Sequence, residues 1–477
     1  MPSPMDELAA MLEKQNKLLT GLVERQDAMD QILKTANTGN NVPLMHGNGG
    51  IFANPAIERD VIVAHVRPFG IGNRLPLLPS VIEDPRFASL TGYTATTGAE
   101  PTEACADAPR GYVKGCLLTA RFGMIRRDTG TIDIEKAILQ WNRGDTRDLM
   151  LRGRVLGLAN LAPSGINESD MLNILTKSEM VTAAVNAEKK ISRDMWQGTI
   201  AGGTFPGLDQ QIATGQKDAD TGVLCPALDS DIKNFNYDLL GGTGRDIVEF
   251  VSSMMWYLEY NAMTMGLDPV SFVLVMRPEL WFELTAVWPC SYLSNRCKVG
   301  STTTNIAVIN DDANVSMRDA MRKGMYLTVN GIDYPVVVDT GIYEKNNVNT
   351  ATLTPGQYAS SIYAVPMTIT GGFPVTYREY LNFRAGASEE ALLNSMNTFW
   401  TDDGIYSWAI ENIKWCYKLS LKTEQRVVLR TPQLAGKIQN IKYVPLQHLR
   451  ETYPDSQYNF DGGVSVRGQT GAYTPWS

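Results

Sequence analysis

The residue types that carry most enzyme chemistry are sparse in this chain and badly spaced for it. Its three histidines, His46, His65 and His448, stand far apart in 477 residues. A metal site wants two or more His, Cys or carboxylate donors at short fixed spacing, as in HxxxH or CxxC. No such pair occurs. The six cysteines, Cys105, Cys116, Cys225, Cys290, Cys297 and Cys416, are scattered without a CxxC. Scattered thiols in a large core-forming chain read as reduced and cytosolic. Cys290 and Cys297, which bracket SYLSNR, read as core or loop thiols. The adjacent acids Asp311-Asp312 and Asp402-Asp403 read as solvated turn charges rather than a general acid and base. Gly241-Gly242-Thr243-Gly244 looks like a dinucleotide-binding turn, but Ile247 stands where the third glycine belongs and no buried strand leads in. Arg143-Gly144-Asp145 is too short to support an adhesion role. There is no GxSxG elbow, phosphate-binding loop or kinase set. Catalytic residues: none are assigned; cofactor-binding residues: none; metal ligands: none. These absences argue for a structural protein.

Composition sets the outer bounds. At this length two or three domains are expected, and 44% hydrophobic residues can fill proper cores. The net charge of −8 and a pI near 5.2 argue against a tight grip on nucleic acid, which calls for a strongly basic face. The start, MPSPMDELAAMLEKQ, has acids and no apolar run, so no signal peptide is expected there. No stretch approaches 18 uninterrupted apolar residues, so no membrane helix is expected.

The element that must position the rest runs from Asn167 to Gly203. Asn167 is a cap candidate, and Asp170 lies three positions on, where a carboxylate favours a helix N-terminus. Ile174, Val181, Val185, Ile191 and Met195 fall on one stripe, with Lys177, Lys189, Lys190 and Arg193 around the other faces. Gly198 and Gly202-Gly203 stop the helix. About 30 residues at about 1.5 Å each make a rod of roughly 45 Å. A rod of this length, with no internal Pro or Gly, suits a backbone on which sheets are laid.

Other segments look unable to satisfy themselves. From Met5 to Leu33, Leu8, Gln15, Leu22 and Met29 repeat every seven residues, with Met11, Leu18 and Ile32 on the alternate seam and Arg25 breaking it. Gly21 weakens this helix, and the Gly/Asn-rich TANTGNNVPLMHGNGG detaches it from the next segment. It must pack on a partner copy or on its own body. Residues 51 to 111 carry Pro55, Pro68, Pro76, Pro79, Pro85, Pro101 and Pro109 and no long element. They read either as an arm over a neighbouring subunit or as a surface loop. GCLLTARFGMIRRDTGTIDI reads as a hairpin, Leu117 to Ile125 against Thr131 to Ile138, about Arg126-Arg127-Asp128-Thr129-Gly130, whose Asp and Gly are turn residues. A third helix begins near Thr243, with Ile247, Phe250, Val251, Met254 and Leu258 as its apolar face and Gly266 after it. SFVLVM is a buried strand running into RPELWFEL, a Pro-started helix. MYLTVNGIDYPVVVD is a hairpin about Asn330-Gly331, and long alternating strands pass through Trp415 to Leu421 and Val427 to Leu429.

In that order, these segments resemble the major capsid protein of tailed bacteriophages, the Hong Kong 97 type, a fold also used by encapsulins. RFGMIRRDTGTIDIEKAILQWNRGD looks like the family's extended loop, and ISRDMWQGTIAGGTFPGLDQQIATG like the end of its spine helix. SFVLVMRPELWFEL and MYLTVNGIDYPVVVD look like its axial lobe, and EQRVVLRTPQLAGKIQNI like its returning peripheral strands. The resemblance spans roughly residues 50 to 460 and rests on order, since each motif alone is unspecific. It implies an α+β fold with an extended N-terminal arm, a β-hairpin extended loop, a long spine helix, and peripheral and axial domains. The implied boundaries are an N-terminal amphipathic helix and linker at 1-45, an extended arm at 46-111, the extended-loop hairpin at 112-160, the peripheral domain with the spine helix at 161-235, the axial domain at 236-355, the peripheral domain's returning strands at 356-440 and a C-terminal extension at 441-477.

The function the resemblance implies is that of a head protein assembling into an icosahedral shell around double-stranded DNA. Implied partners are further copies in pentamers and hexamers, a portal at one vertex, scaffold and decoration proteins, and DNA held without sequence specificity. No membrane is implied, and the place of the protein is the virion, assembled in the host bacterial cytoplasm. Some members cleave an N-terminal scaffold of about a hundred residues; only some 45 precede the arm here. Some crosslink a loop Lys to an Asn; Lys136 lies near the hairpin, but no acceptor Asn or catalytic Glu is identified. An encapsulin-like compartment and a cytosolic enzyme with dispersed site residues stay open as alternatives.

Overall fold

The computed structural model describes residues 70–82, 86–93, 113–130, 132–133, 168–237, 239, 247–294, 312–346, 353, 357–382, 398–400, 404–413 and 416–443. The chain begins with strands β1 (Leu77–Ser80), β2 (Arg86–Tyr93), β3 (Val113–Thr119), β4 (Gly123–Asp128) and β5 (Ile132–Asp133). After these come helix α1 (Glu168–Gln197), the short α2 (Leu208–Gln211), β6 (Asp231–Asn234) and α3 (Ile247–Thr264). Next are β7 (Ser271–Met276), α4 (Pro278–Ser294), α5 (Asp312–Gly324), β8 (Tyr326–Val329), β9 (Ile332–Val338) and β10 (Lys345–Asn346). The remaining strands are β11 (Tyr358–Ile369), β12 (Phe373–Pro374), β13 (Thr376–Leu381), β14 (Thr398–Trp400), β15 (Ser407–Ile413), β16 (Cys416–Leu429) and β17 (Gly436–Tyr443). The architecture is mixed, with helices packed on largely antiparallel sheets.

Two sheets carry the fold. The first runs β1-β13-β16-β15-β14, with β4 and β5 also on β16. β15 pairs with residues 416–422 of β16, and β4 and β5 pair within 416–425, so these lie on opposite edges of the long strand. The second runs β6-β17-β11-β7-β9-β8, with β10 and β12 also on β11. In β7 the period-2 rule sends Phe272, Leu274 and Met276 to one core and Val273 and Val275 to another, so both faces of the sheet are covered. On one face lie α3, α4 and α5, through Val251, Met254, Leu258, Leu280, Leu284, Trp288 and Met321. On the other lies α1, whose Met180, Ala183, Ala187, Ile191, Met195 and Trp196 also meet Ile125, Trp408, Tyr417 and Leu421 of the first sheet.

The long helix therefore sits in a core fed by both sheets. It spans 30 residues and ends at Gly198, as the sequence suggests. The buried face differs from the expected stripe. Val181 and Val185 are half-buried, and the side chain of Ile174 lies outside the described residues. Burial instead takes in Ala183, Ala184 and Ala187, with Glu188, Ser192 and Asp194 beside them. Small alanines let strands approach closely, and buried polar groups are tolerated where they are paired. Apolar periodicity cannot see either feature.

The hairpin expectation at Leu117 to Ile125 against Thr131 to Ile138 is corrected. β3 pairs antiparallel with β2, whereas β4 and β5 each pair with β16. Gly123–Asp128 is thus part of the first sheet, with Ile125 only 3% exposed. The two-stranded ribbon is β2–β3, and Arg86–Tyr93, within the segment read as an arm or surface loop without a long element, is an eight-residue strand. Propensity alone cannot choose between two partners for one strand; register is set by the face that tertiary packing buries.

The hairpin at Asn330-Gly331 forms as expected, with Val329 opposite Ile332 and φ of +52° and +82° at the two turn residues. Returning strand β11 enters the second sheet between β7 and β17, and β13 and β16 pair in the first. The N-terminal heptads, Gly241 to Gly244, Arg143 to Asp145, Lys136, Cys105, Cys297 and the three histidines lie outside the described residues.

Candidate functional site

The β2–β3 ribbon belongs to neither large sheet, so its base is held by side chains and loops rather than a strand ladder. Phe87 and Leu118 on its inner face pack with Cys225, Leu228, Tyr377 and Val428. The guanidinium of Arg430 lies 6.0 Å from the Phe87 ring centre and 5.7 Å from that of Tyr377. The loop before β6 closes over the same face. Leu117 N donates to Asp218 Oδ2 at 2.8 Å, Ala219 N donates to Leu117 O at 2.8 Å, and Arg86 pairs with Asp220. The Asp218 carboxyl is held below its ordinary range by the backbone N–H of Leu117 first, then by Thr221.

A disulfide between Cys116 and Cys225 completes this mooring, with Cα atoms 6.8 Å apart. The expectation of reduced thiols is corrected for these two. They are 109 residues apart and meet only because the ribbon lies on that loop. Cys416 is free and half-buried.

Ionisable groups also meet in the interior. Glu188 of α1 receives two hydrogen bonds from Arg378 Nη2 of β13, at 3.2 and 3.1 Å, and one from Tyr406 Oη at 2.6 Å. Arg378 also donates to Gln425 Oε1 at 2.6 Å. Arg426 of β16 donates to Glu379 and to the carbonyl of Ala120, and lies over the Phe122 ring. Asp339, after β9, accepts from Ile71 N, Trp196 Nε1 and Gly341 N at 2.8 to 2.9 Å. Burial pushes its carboxyl above the ordinary range, against those three donors. Tyr363 donates to Asp209 at 2.6 Å, and burial raises its hydroxyl well above the usual phenol range.

Such clusters can mark catalysis. Here Arg378 is 2% and Glu188 5% exposed, and the Glu188 carboxylate faces Nη2 of Arg378. They join α1 to β13 and β16, a placing role. Among the described residues no group of three His, Cys or carboxylate side chains could hold a metal ion. Asp312 opens α5, while Asp402 and Asp403 lie outside the described residues.

The outer surface carries an apolar feature that periodicity did not pick out. Trp256, Tyr257, Tyr260 and Met263 of α3 face water, with Trp256 and Met263 each 62% exposed and the Trp256 and Tyr260 rings stacked 5.6 Å apart. Their spacing of four and three residues was the available signal; the inner stripe of the same helix masked it. No described helix is long and apolar enough to cross a membrane.

Many of the solved structures similar to the chain are phage capsids. The capsid asymmetric unit of cyanophage A-1(L) shares 13% identity at a TM-score of 0.41, over 82% of this chain and 97% of that one. The capsid of Myoviridae phage XM1 shares 9% identity at a TM-score of 0.39, over 79% of this chain and 94% of that one. The holo-SrpI encapsulin complex of Synechococcus elongatus PCC 7942 shares 9% identity at a TM-score of 0.35, over 77% of this chain and 85% of that one. No protein-family model and no curated protein matches the chain.

Proposed function

We propose that this chain is the structural subunit of a closed icosahedral shell, the major capsid protein of a tailed bacteriophage with the Hong Kong 97 type of fold. The observation that carries the reading is the β2–β3 ribbon. It stands outside both sheets; its base at Phe87, Leu118 and Cys116 is moored on its own subunit, and beyond that base a two-stranded ribbon is marginal in water unless a surface covers it. In a shell of heterologous contacts that surface belongs to a neighbouring copy. The exposed aromatic face of α3 supports the same reading, because large apolar patches on a lone subunit mark interaction sites.

On this reading α1 is the spine helix and the β2–β3 ribbon, rather than residues 112-160 as a whole, is the extended loop. The sheet around β7 with α3, α4 and α5 forms the axial side, and the sheet around β16 the peripheral side. Partners are copies in pentamers and hexamers, a portal, scaffold or decoration proteins, and double-stranded DNA held without sequence specificity, in keeping with the net charge of −8. The role is structural, not enzymatic, and the protein resides in the virion. Electron microscopy of the expressed protein with its neighbouring phage gene products tests this. Shells filled with DNA support it, shells filled with protein cargo move it to an encapsulin-like compartment, and a dispersed monomer overturns it.

A further inference from the structure

The base of the ribbon rests on Tyr377 and Val428 through Phe87 and Leu118, and the 215–228 loop adds a second set of moorings. Asp218, Ala219 and Asp220 hold Leu117 and Arg86, and Cys225 and Leu228 meet Cys116, Phe87 and Leu118. The loop is itself shaped by local bonds. Asp218 Oδ1 accepts from Asp220 N and Thr221 N at 3.0 and 2.9 Å, and Asp229 Oδ1 accepts from Gly215 N and Gln216 N at 2.8 and 3.1 Å. Cys225 N donates to Gln216 O at 2.7 Å, which brings its thiol side to the ribbon. Of all these links only the Cys116–Cys225 bond is covalent, and only it depends on redox state. Cys116 is half-buried and Cys225 is 8% exposed, so Cys116 is the more accessible residue of the two.

We propose that the Cys116–Cys225 pair is a redox latch that fixes the β2–β3 ribbon to the 215–228 loop, open in a reducing compartment and closed in an oxidising one. This rests on the reading that the ribbon is the arm presented to a neighbouring subunit. Closure by a low-molecular-weight disulfide such as oxidised glutathione balances in two exchanges. The Cys116 thiolate attacks one glutathione sulfur and releases one glutathione thiol, giving a mixed disulfide. The Cys225 thiolate then attacks the Cys116 sulfur and releases the second. Two electrons pass from the protein to the oxidant, and the two protons end on the released thiols. A dithiol reductant opens the bond in two exchanges: one of its thiolates attacks the Cys116 sulfur and releases the Cys225 thiolate, and its second thiolate then attacks its own sulfur in that mixed disulfide, releases the Cys116 thiolate and leaves the reductant as a disulfide. Closing requires the loop already seated, so the latch records the docked arrangement rather than creating it. Once closed, the loop cannot leave the ribbon by breaking hydrogen bonds alone.

The test uses full-length unassembled subunits, so its outcome is independent of whether shells form. The protein is treated with oxidised glutathione or with a dithiol, and amide exchange is tracked in Arg86–Tyr93 and Val113–Thr119. The latch predicts a Cys116–Cys225 peptide in the oxidised sample under non-reducing mass spectrometry. It also predicts exchange in both strands slowed by about tenfold or more relative to the reduced sample. Cys116→Ser and Cys225→Ser should each exchange at the reduced rate under both treatments. Reduced wild type supplies the same comparison should a variant fold poorly. Failure to form the linkage, or equal exchange in both states, overturns the latch. Particle counts measured separately test the shell reading, so either can fall without the other.

Discussion

Glu188 of α1 and Arg378 of β13 meet inside the protein at 3.1 Å, 190 residues apart in sequence and both nearly inaccessible to water. A buried pair is a weak source of net stability, because desolvation offsets most of the attraction. Removing one partner is different, since it strands a charge. Glu188→Ala or Arg378→Ala should each cost about 3–5 kcal/mol. The double replacement Glu188→Met with Arg378→Leu should cost less than either. Thermal melting of the four proteins checks this; a double variant as damaged as the sum of the singles would contradict it.

The ribbon and β4 should respond oppositely to deletion. Replacing the ribbon beyond Ser89 and Cys116 with a short turn should leave melting nearly unchanged and abolish shells. Deleting Gly123–Asp128 should unfold the subunit, because that strand pairs with β16 and buries Ile125. Circular dichroism reports the fold and particle counts the assembly. A folded β4 deletion would show that the first sheet closes without it.

Asp128 carries a pH dependence. Hydrogen bonds from Lys418 first, then Ser420, hold its carboxyl at about 2, below the ordinary 3.8. A depressed carboxylate contributes stability that is present above the unfolded value and lost as pH falls through the folded one. Wild type should therefore lose stability between about pH 4 and about pH 2. Asp128→Asn should flatten that part of the acid-unfolding profile, and an unchanged profile would contradict the assignment.

Gly70 adopts φ of +56°, and a Cβ there would fall 2.0 Å from Asp339 Oδ2. That carboxylate cannot swing away without releasing Ile71, Trp196 and Gly341. Gly70→Ala should cost about 1–3 kcal/mol, read as a lowered melting temperature. A neutral substitution would mean that the bonds around Asp339 are loose.

The features legible in the sequence were local ones. The 30-residue helix, the buried strand at Ser271–Met276 and the Asn330-Gly331 turn come from periodicity and turn chemistry over a few neighbouring residues. Partner choice was not legible. Met124 and Ile125 fit a hairpin with Thr131 onward as well as they fit β16, and only burial of Ile125 against the long helix decides. Cys116 and Cys225 show no spacing signal, and Glu188 and Arg378 look like ordinary surface charges until the fold joins them. The outward Trp256, Tyr260 and Met263 keep the same helical spacing as the inner stripe of α3, so pattern alone reads one face and misses the other.

Shell formation is tested most directly by sedimentation with negative-stain microscopy of the full-length protein at micromolar concentration, alone and with any scaffold encoded beside it. Closed particles tens of nanometres across are expected, and they should be lost when the ribbon is shortened. A stable monomer or dimer under every such condition would contradict the shell-subunit reading.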